Sequence, residues 1–282
     1  MELRSIVLIM IVFTLSACSP AKETAISRLS IGVVSYGEND KSLQKYADFQ
    51  KYLGSQQNSL IELEPTYNEV RALNQISRKQ WDLVFAPPGL AAIAIDQHNY
   101  KPIVPLEGRD RTRSVIVAKK TSAFENRRDL AGETIALGQK GSAAGYYLPI
   151  FNLYGLNFKQ VLYAPTPQDV LRLLDENKVT AGALSLADYN LLKRDYPANQ
   201  FKIVYLDKHN VPSGAILISD RLEPNKQEQI RLALVETPSF IASTAGYLPS
   251  EKPPDYTYLI QVIKRVREVL AESPMVLQKQ MK

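Results

Sequence analysis

The chain has 282 residues, a hydrophobic content of 45% and a formal net charge of +5 at pH 7. This length provides enough core for one large domain or two lobes, and the single cysteine excludes an intrachain disulfide. The lysines and arginines are scattered, without a basic stripe or interleaved aromatic residues, which excludes a nucleic-acid-binding surface. A modest positive charge suits an anionic solute or an anionic membrane surface instead.

Residues 1–17 are organised like a bacterial lipoprotein signal peptide. Residues 6–13 form an apolar core that is too short to cross a bilayer, which takes about 20 apolar residues. Residues 15–18, Leu-Ser-Ala-Cys, resemble the lipobox, whose cysteine is lipidated and becomes the new amino terminus. We therefore predict that Cys18 carries a lipid anchor and that residues 18–28 form a tether. The alternative is an ordinary secretory signal followed by an incidental cysteine.

The first part of the mature chain alternates short β-branched runs with amphipathic segments, a pattern that predicts strands and helices in turn. The predicted strands are 29–34, 60–63 and 81–86, and the predicted helices are 41–53, 68–76 and 89–95. This β-α-β-α-β-α order is typical of a mostly parallel sheet with helices on both faces.

The same alternation starts again after residue 108. The predicted strands here are 114–118, 134–137, 161–163, 179–184, 201–206 and 215–218. The predicted helices are one that follows the glycine-rich residues 138–145 and ends at Tyr154, and then 168–174, 187–193, 224–235, 239–243 and 258–270. Pro167 falls at or near the first turn of one of these helices, a position where proline is well tolerated.

Two α/β units followed by helices predict an α/β fold with two lobes, mixed and mostly parallel sheets, and a hinge. Lobe one is predicted to comprise residues 29–108 and 215–282, and lobe two residues 109–214. Ligands of open α/β sheets bind beyond the carboxyl ends of the strands. Two facing lobes place two such edges around one cleft, where hinge closure can trap a solute.

Several motifs in order along the chain carry a family resemblance. Asp-Leu-Ala-Gly-Glu-Thr-Ile-Ala at residues 129–136 is followed by Gly-Ser-Ala-Ala-Gly at 141–145 and Tyr-Tyr-Leu-Pro at 146–149. Further matching segments are 81–88, 113–117, 179–183, 211–217 and 246–249, together with Tyr36 beyond the first strand. The chain resembles the periplasmic phosphate-, phosphite- and phosphonate-binding proteins of ABC importers, a branch of the type 2 periplasmic-binding fold. The resemblance covers nearly the whole mature chain.

The turn at residues 141–145 suits anion binding on physical grounds as well. Small residues between Gly141 and Gly145 allow several backbone N–H groups to point into one concavity. A helix beginning near Ala143 adds its unpaired N–H groups and its positive dipole end, and the Ser142 hydroxyl can donate one more hydrogen bond. The alternative is a plain strand-to-helix turn in which the glycines only relieve backbone strain.

This chain departs from the family pattern at that turn. The resemblance implies three hydroxyls in a row, but only Ser142 keeps one, because Ala143 and Ala144 carry none. A hydrogen bond to a charged group is worth about 1.5–3 kcal/mol, so the loss predicts weaker binding of simple phosphonates. Leu90 also stands where the family often has a tyrosine. These differences leave open a larger, less charged or otherwise different ligand.

Other residues complete the predicted ligand-binding set. They are Tyr36, Pro87, Arg113, Tyr146, Ser185 and Asp188. Arg113 and the preceding Arg109 and Arg111 are candidate bidentate partners for an anion. The alternative is a solvated basic loop, which is the preferred interpretation for Arg109 and Arg111. Tyr36 forms either an aromatic wall of the cleft or part of the core.

Asp188 falls near the position of an acidic residue that, by the resemblance, accepts a hydrogen bond from a protonated ligand oxygen. The alternative is an aspartate on a helix face, and Ser185 is alternatively the N-cap of that helix.

Catalysis has little support in the sequence. His98 and His209 lie in polar contexts, and no His/Cys cluster has the spacing of metal ligands. Neither a G-x-S-x-G nucleophile elbow nor a P-loop is present. We therefore expect no enzyme activity, no metal and no cofactor.

The prediction is a solute-binding lipoprotein of an ABC importer that captures a small phosphonate-, phosphite- or phosphate-like oxyanion. Its expected partners are the permease and ATPase of the importer and, through the lipid anchor, a membrane. The protein is expected to be a monomer in the cell envelope that faces the periplasm or the exterior. The alternatives are a ligand sensor that signals to a membrane receptor kinase and an envelope interaction module without transport.

Overall fold

The computed structural model describes residues 27–34, 41–66, 68–108 and 112–272. The predictions for the signal peptide, Cys18, most of the tether, Tyr36, Arg109 and Arg111 lie outside these residues. Within the described ranges, no helix is both long enough and apolar enough to cross a membrane.

The described elements follow the predicted alternation of strands and helices, with one further strand at residues 101–105 that the sequence did not predict. The strands are β1 (Ser27–Val34), β2 (Ser59–Thr66), β3 (Leu83–Ala86), β4 (Lys101–Pro105), β5 (Arg113–Lys119), β6 (Thr134–Leu137), β7 (Gln160–Tyr163), β8 (Ala181–Ser185), β9 (Phe201–Asn210) and β10 (Ala215–Ile218). The α-helices are α1 (Lys41–Gln44), α2 (Ala47–Gln57), α3 (Glu69–Ser77), α4 (Pro88–His98), α5 (Leu148–Asn152), α6 (Pro167–Asp175), α7 (Leu186–Leu192), α8 (Pro224–Val235), α9 (Ser239–Ala245) and α10 (Thr257–Glu272). A π-helical turn, Ala143–Tyr147, leads directly into α5.

The strands form two five-stranded sheets, one for each lobe. The sheet of lobe one has the order β2-β1-β3-β10-β4, and the sheet of lobe two has the order β7-β6-β8-β5-β9. Both sheets are mixed, as predicted, and parallel pairings account for two of the four in each. The antiparallel pairings arise because β10 and β5, the strands that follow the two crossings between lobes, run against their neighbours.

The crossings lie side by side at the edge of the cleft. Val211 N–H donates to the carbonyl of Thr112 at 2.8 Å, so the outgoing and returning segments are hydrogen-bonded to each other. This arrangement agrees with two lobes joined by a hinge, although the predicted residue boundaries of the lobes stay a prediction.

Helix α10 packs against both lobes. It contacts α4 of lobe one and α5 of lobe two, and Leu259, Val262 and Val266 are buried in a core cluster that joins the lobes. Lys264 Nζ lies 2.7 Å from an oxygen of Asp96 on α4. The C-terminal helix therefore braces the two lobes on the side where α4 and α5 lie.

One predicted helix differs from the structure. The sequence predicts a single helix over residues 41–53, whereas α1 and α2 are separated at Lys45 and Tyr46. Tyr46 is only 5% exposed, and its ring packs edge-on against Phe85 with a centroid separation of 5.1 Å. This tertiary contact orients the chain at the break, and periodicity within residues 41–53 carries no information about it.

Candidate functional site

A cavity of about 870 Å³ lies between the two sheets. Lobe one contributes residues at the starts of α3 and α4, and lobe two contributes the π-helical turn, α6 and α7 with the turns before them. The predicted binding residues that line this cavity are Pro87, Ser142, Ala143, Ala144, Gly145, Ser185 and Asp188. The structure thus brings most of the predicted set into one cleft.

Residues 138–145, here called the Ser142 turn, connect β6 to the π-helical turn. The Gly138 N–H donates to the Gly145 carbonyl at 2.8 Å and closes the loop. Gly141 has φ +116°, a left-handed conformation that favours glycine. The Ser142 carbonyl then accepts from the N–H of Tyr147, five residues on, at 3.1 Å. The helix therefore begins at Ala143, as the sequence predicts, but with a widened first turn.

The Ser142 side chain caps this helix. Its Oγ accepts a hydrogen bond from the Gly145 N–H at 3.0 Å. Among the described residues its hydroxyl proton has no protein acceptor, so that proton can be donated to a ligand. The N–H groups of Ala143 and Ala144 belong to the first helical turn, where no acceptor exists within the helix. Three donors therefore converge at the start of this helix.

The hydroxyls at two neighbouring helix starts are used differently. Thr166 Oγ1 donates to Asp169 Oδ2 at 2.8 Å, and Ser185 Oγ donates to Asp188 Oδ2 at 2.6 Å. Each hydroxyl also accepts from the N–H of the same aspartate. Ser185 is thus the N-cap of α7, and its proton is committed to Asp188. These two hydroxyls are not available as donors in this arrangement.

Carboxylates offset the positive dipole ends of three helices that begin around the cavity. Helices α3, α6 and α7 carry Glu69, Asp169 and Asp188, respectively, in their first turns. The helix after Ser142 and helix α4 have no acidic residue there. Since the positive end of a helix dipole favours an anion, an anion fits best beside these two uncompensated ends.

Arg172 is the cationic side chain among the described residues that line the cavity. Its Nη2 lies 2.7 Å from Asp169 Oδ1, and its Nη1 lies 3.4 Å from Glu176 Oε1. Burial raises the pKa of Asp169, but hydrogen bonds from Arg172 and Thr166 outweigh this effect and leave the pKa lowered. Arg172 therefore already forms an ion pair with a carboxylate, and the described residues that line the cavity include more acidic than basic side chains.

Three predicted residues do not line the cavity. Gly141 lies behind the turn, where an added Cβ would be 2.8 Å from the Cβ of Glu69. Tyr146 is 6% exposed and packs edge-on against Tyr147, and burial raises its pKa, so its place is in the core. Arg113 begins β5, and its neighbour Thr112 lines the cavity in its place.

The sequence interpretation missed several cavity residues on lobe two, namely Thr112, Thr166, Gln168, Arg172 and Tyr196. Thr166 had a recognisable signal, because a threonine before Pro167 and three residues before Asp169 is a typical helix start. Tyr196 follows α7 by several residues, and no local pattern indicates that it turns toward the cleft.

Comparison with known proteins gives a family match and related folds. Residues 31–244 match the family described as the periplasmic substrate-binding protein of the phosphonate ABC transporter. No curated protein sequence matches the chain.

Three solved structures are similar to this one. XAC2383 from Xanthomonas citri, solved with ATP bound, has 18% identity and a TM-score of 0.70, with 86% of this chain and 98% of that chain covered. A binding protein component of an ABC phosphonate transporter from Pseudomonas aeruginosa has 14% identity and a TM-score of 0.65, with 86% of each chain covered. PhnD1 from Prochlorococcus marinus, solved with methylphosphonate, has 17% identity and a TM-score of 0.64, with 87% and 98% covered. At these identities the likeness shows the two-lobed fold.

Proposed function

Since the chain belongs to the family of periplasmic substrate-binding proteins of phosphonate ABC transporters, we propose that it captures a small phosphonate-, phosphite- or phosphate-like oxyanion at the Ser142 turn. The observation that carries this proposal is the Ser142 hydroxyl, which caps a helix without an acidic first turn and keeps its proton for a ligand. The turn borders the cleft between the lobes, where closure can enclose the solute.

The proposed site makes few contacts with the ligand, and their number limits the expected affinity. Ser142 Oγ and the N–H groups of Ala143 and Ala144 supply three donors, whereas the family pattern adds two more hydroxyls. Each missing bond to a charged oxygen is worth about 1.5–3 kcal/mol. Affinity for a simple phosphonate is therefore expected to be lower than in a protein with the full hydroxyl turn.

The carboxylates of the cleft narrow the class of ligand further. Among the described residues, Glu69, Asp169 and Asp188 line the cavity together with one cationic side chain, Arg172. These carboxylates favour an oxyanion of low charge, or one that also carries an ammonium group. Methylphosphonate, the ligand of one related structure, fits this class better than the highly charged ATP bound in another.

The first experiment identifies the solute. Mass spectrometry of ligand released from the purified protein, together with a thermal-shift panel, should point to one compound class. The panel comprises phosphate, phosphite, methylphosphonate, 2-aminoethylphosphonate, methanesulfonate and ATP. At least one phosphorus oxyanion should raise the melting temperature, and the Ser142→Ala variant should respond less. If none does and an unrelated solute is released, the ligand proposal is wrong.

The family match supports transport as the context of this binding. We propose that the loaded protein delivers its ligand to a permease and ATPase, that it acts as a monomer, and that it is not an enzyme. A lipid on Cys18 would hold it at the surface of a membrane in the cell envelope. The match favours this function over a receptor-kinase sensor or an envelope module without transport.

A further inference from the structure

The two lobes approach each other closely through backbone atoms beside the cavity. Gly89, at the start of α4 in lobe one, lies against the Ser142 turn of lobe two. A Cβ built on Gly89 would lie 1.9 Å from the carbonyl oxygen of Gly141 and 2.9 Å from the nitrogen of Ala143. Both atoms are backbone, so no flexible side chain could move aside.

The backbone conformation of lobe one does not require glycine at this position. Gly89 lies in an α-helix and has no left-handed φ, and alanine is the better helix former. Its nearest obstacles are the atoms of Gly141 and Ala143, which belong to the other lobe. The contact between the lobes, and not the conformation of α4, therefore disfavours a side chain at this position.

A second contact holds the same surfaces together. The Glu69 N–H, at the start of α3, donates to Gln139 Oε1 of the Ser142 turn at 3.3 Å. The Gly141 Cα also approaches Glu69 so closely that an added Cβ would be 2.8 Å from the Glu69 Cβ. The starts of α3 and α4 thus fit against one turn in lobe two, and that turn is the proposed oxyanion site.

We propose that Gly89 is the residue that permits full closure of the cleft, and that its missing side chain sets ligand affinity through the closed state. This inference rests on the proposed function, since closure matters for affinity only if the cleft traps a solute. Gly89 acts through the position of the Ser142 turn, without being required as a ligand contact. A methyl group there would leave the open form intact and prevent the lobes from meeting.

The test measures closure separately from affinity. In the full-length chain with Cys18→Ser, one spin label is placed on each lobe at cysteines introduced for the exposed residues Lys51 and Arg194. Distances are recorded by pulsed electron paramagnetic resonance with and without methylphosphonate, phosphite or phosphate, and affinities by calorimetry. The variant is Gly89→Ala. The control is Gly54→Ala, a helical glycine in α2 whose added methyl group would contact only Ser59 and Ile61 of lobe one.

The expected result is a short interlobe distance in the parent chain and in Gly54→Ala that is lost or reduced in Gly89→Ala. Affinity for whichever anion binds should fall about 5- to 150-fold in Gly89→Ala, with the ligand-free melting temperature unchanged or higher. A parent chain that closes but binds none of the three anions would contradict the ligand proposal and leave closure at Gly89 supported. A short distance that persists in Gly89→Ala, or that never occurs in the parent, overturns the inference.

Discussion

Three hydroxyls at helix starts border the same cavity, and they differ in where their protons go. Those of Thr166 and Ser185 are donated to Asp169 and Asp188, whereas Ser142 has no such carboxylate partner. We therefore predict that Ser142→Ala weakens binding of the natural oxyanion about 10- to 150-fold, the value of one hydrogen bond to a charged group. Isothermal titration calorimetry measures this directly.

The matched control is Thr166→Ala. This change removes a helix cap of the same kind and should lower stability by about 1 kcal/mol, as Ser142→Ala also should. It should leave affinity nearly unchanged, because its proton is not available to the ligand. Equal losses of affinity in the two variants would mean that capping alone explains the effect and that Ser142 is not a ligand donor.

For single residues, the sequence predicts the Ser142 turn but not the residues that face it across the cavity. Ser142, Ala143 and Ala144 follow from a local pattern of small residues between a strand and a helix. Whether Arg113 or Thr112 faces the cleft depends on the register of β5 against β9, which shifts near that point. Pairing between distant strands leaves no mark on neighbouring residues, so this side of the site could not be predicted.

The Ser142 turn offers a second test, because Ala143 and Ala144 lack the hydroxyls of the family pattern. Ala143 and Ala144 both line the cavity. Restoring the hydroxyls with Ala143→Thr and Ala144→Ser should strengthen methylphosphonate or phosphite binding by about tenfold or more. Competition calorimetry against the parent chain provides the comparison.

The steric control for that variant is Ala143→Val, which has nearly the shape of threonine without its hydroxyl. It should bind no better than the parent chain, and worse if the larger side chain presses on α4 across the cleft. A gain in Ala143→Val equal to that of the hydroxyl variant would show that packing, and not hydrogen bonding, controls affinity at the turn.

Elements with strong local signals were predicted well. The helix predicted over residues 68–76 is found as α3, and its N-cap Asn68 accepts hydrogen bonds from the N–H groups of Val70 and Arg71. The widened turn after Ser142 was not predicted, because α- and π-helical turns have the same composition. The equal numbers of parallel and antiparallel pairings were also not predicted, since strand direction is set by the crossings between lobes.

For the whole molecule, buried tyrosines predict how stability changes at high pH. Burial raises the pKa of Tyr46, Tyr100 and Tyr147 from 10.0 to about 12. Unfolded tyrosine loses its proton near pH 10, whereas the folded chain retains it, so this stability is present below pH 10 and lost as pH rises toward 12. The free energy of unfolding should therefore decrease by about 1 kcal/mol for each such tyrosine at pH 11, and the melting temperature should fall steeply above pH 10.

Tyr46→Phe checks this assignment. The variant removes one of the raised groups and keeps the ring that packs against Phe85. Its melting temperature should decrease less steeply between pH 10 and 12 than that of the parent chain. An identical slope in the two proteins would show that other groups control alkaline unfolding.

The whole chain also carries the proposed membrane anchor. Replacing Cys18 with alanine should release the protein from membranes or block its processing, because two acyl chains hold a protein stably and no other anchor is proposed. Cell fractionation with Ser19→Ala as the control measures this. Membrane partitioning of Cys18→Ala equal to that of the parent would contradict lipidation at this position.

The central claim is that an oxyanion binds at the Ser142 turn inside the closed cleft. A crystal structure with methylphosphonate, at a concentration well above its measured Kd, tests this most directly. We predict that the phosphorus lies within about 4 Å of Ser142 Oγ. The phosphonate oxygens should accept hydrogen bonds from the Ser142 hydroxyl and from the N–H groups of Ala143 and Ala144. A phosphonate bound elsewhere, for example between α6 and α7, would contradict it.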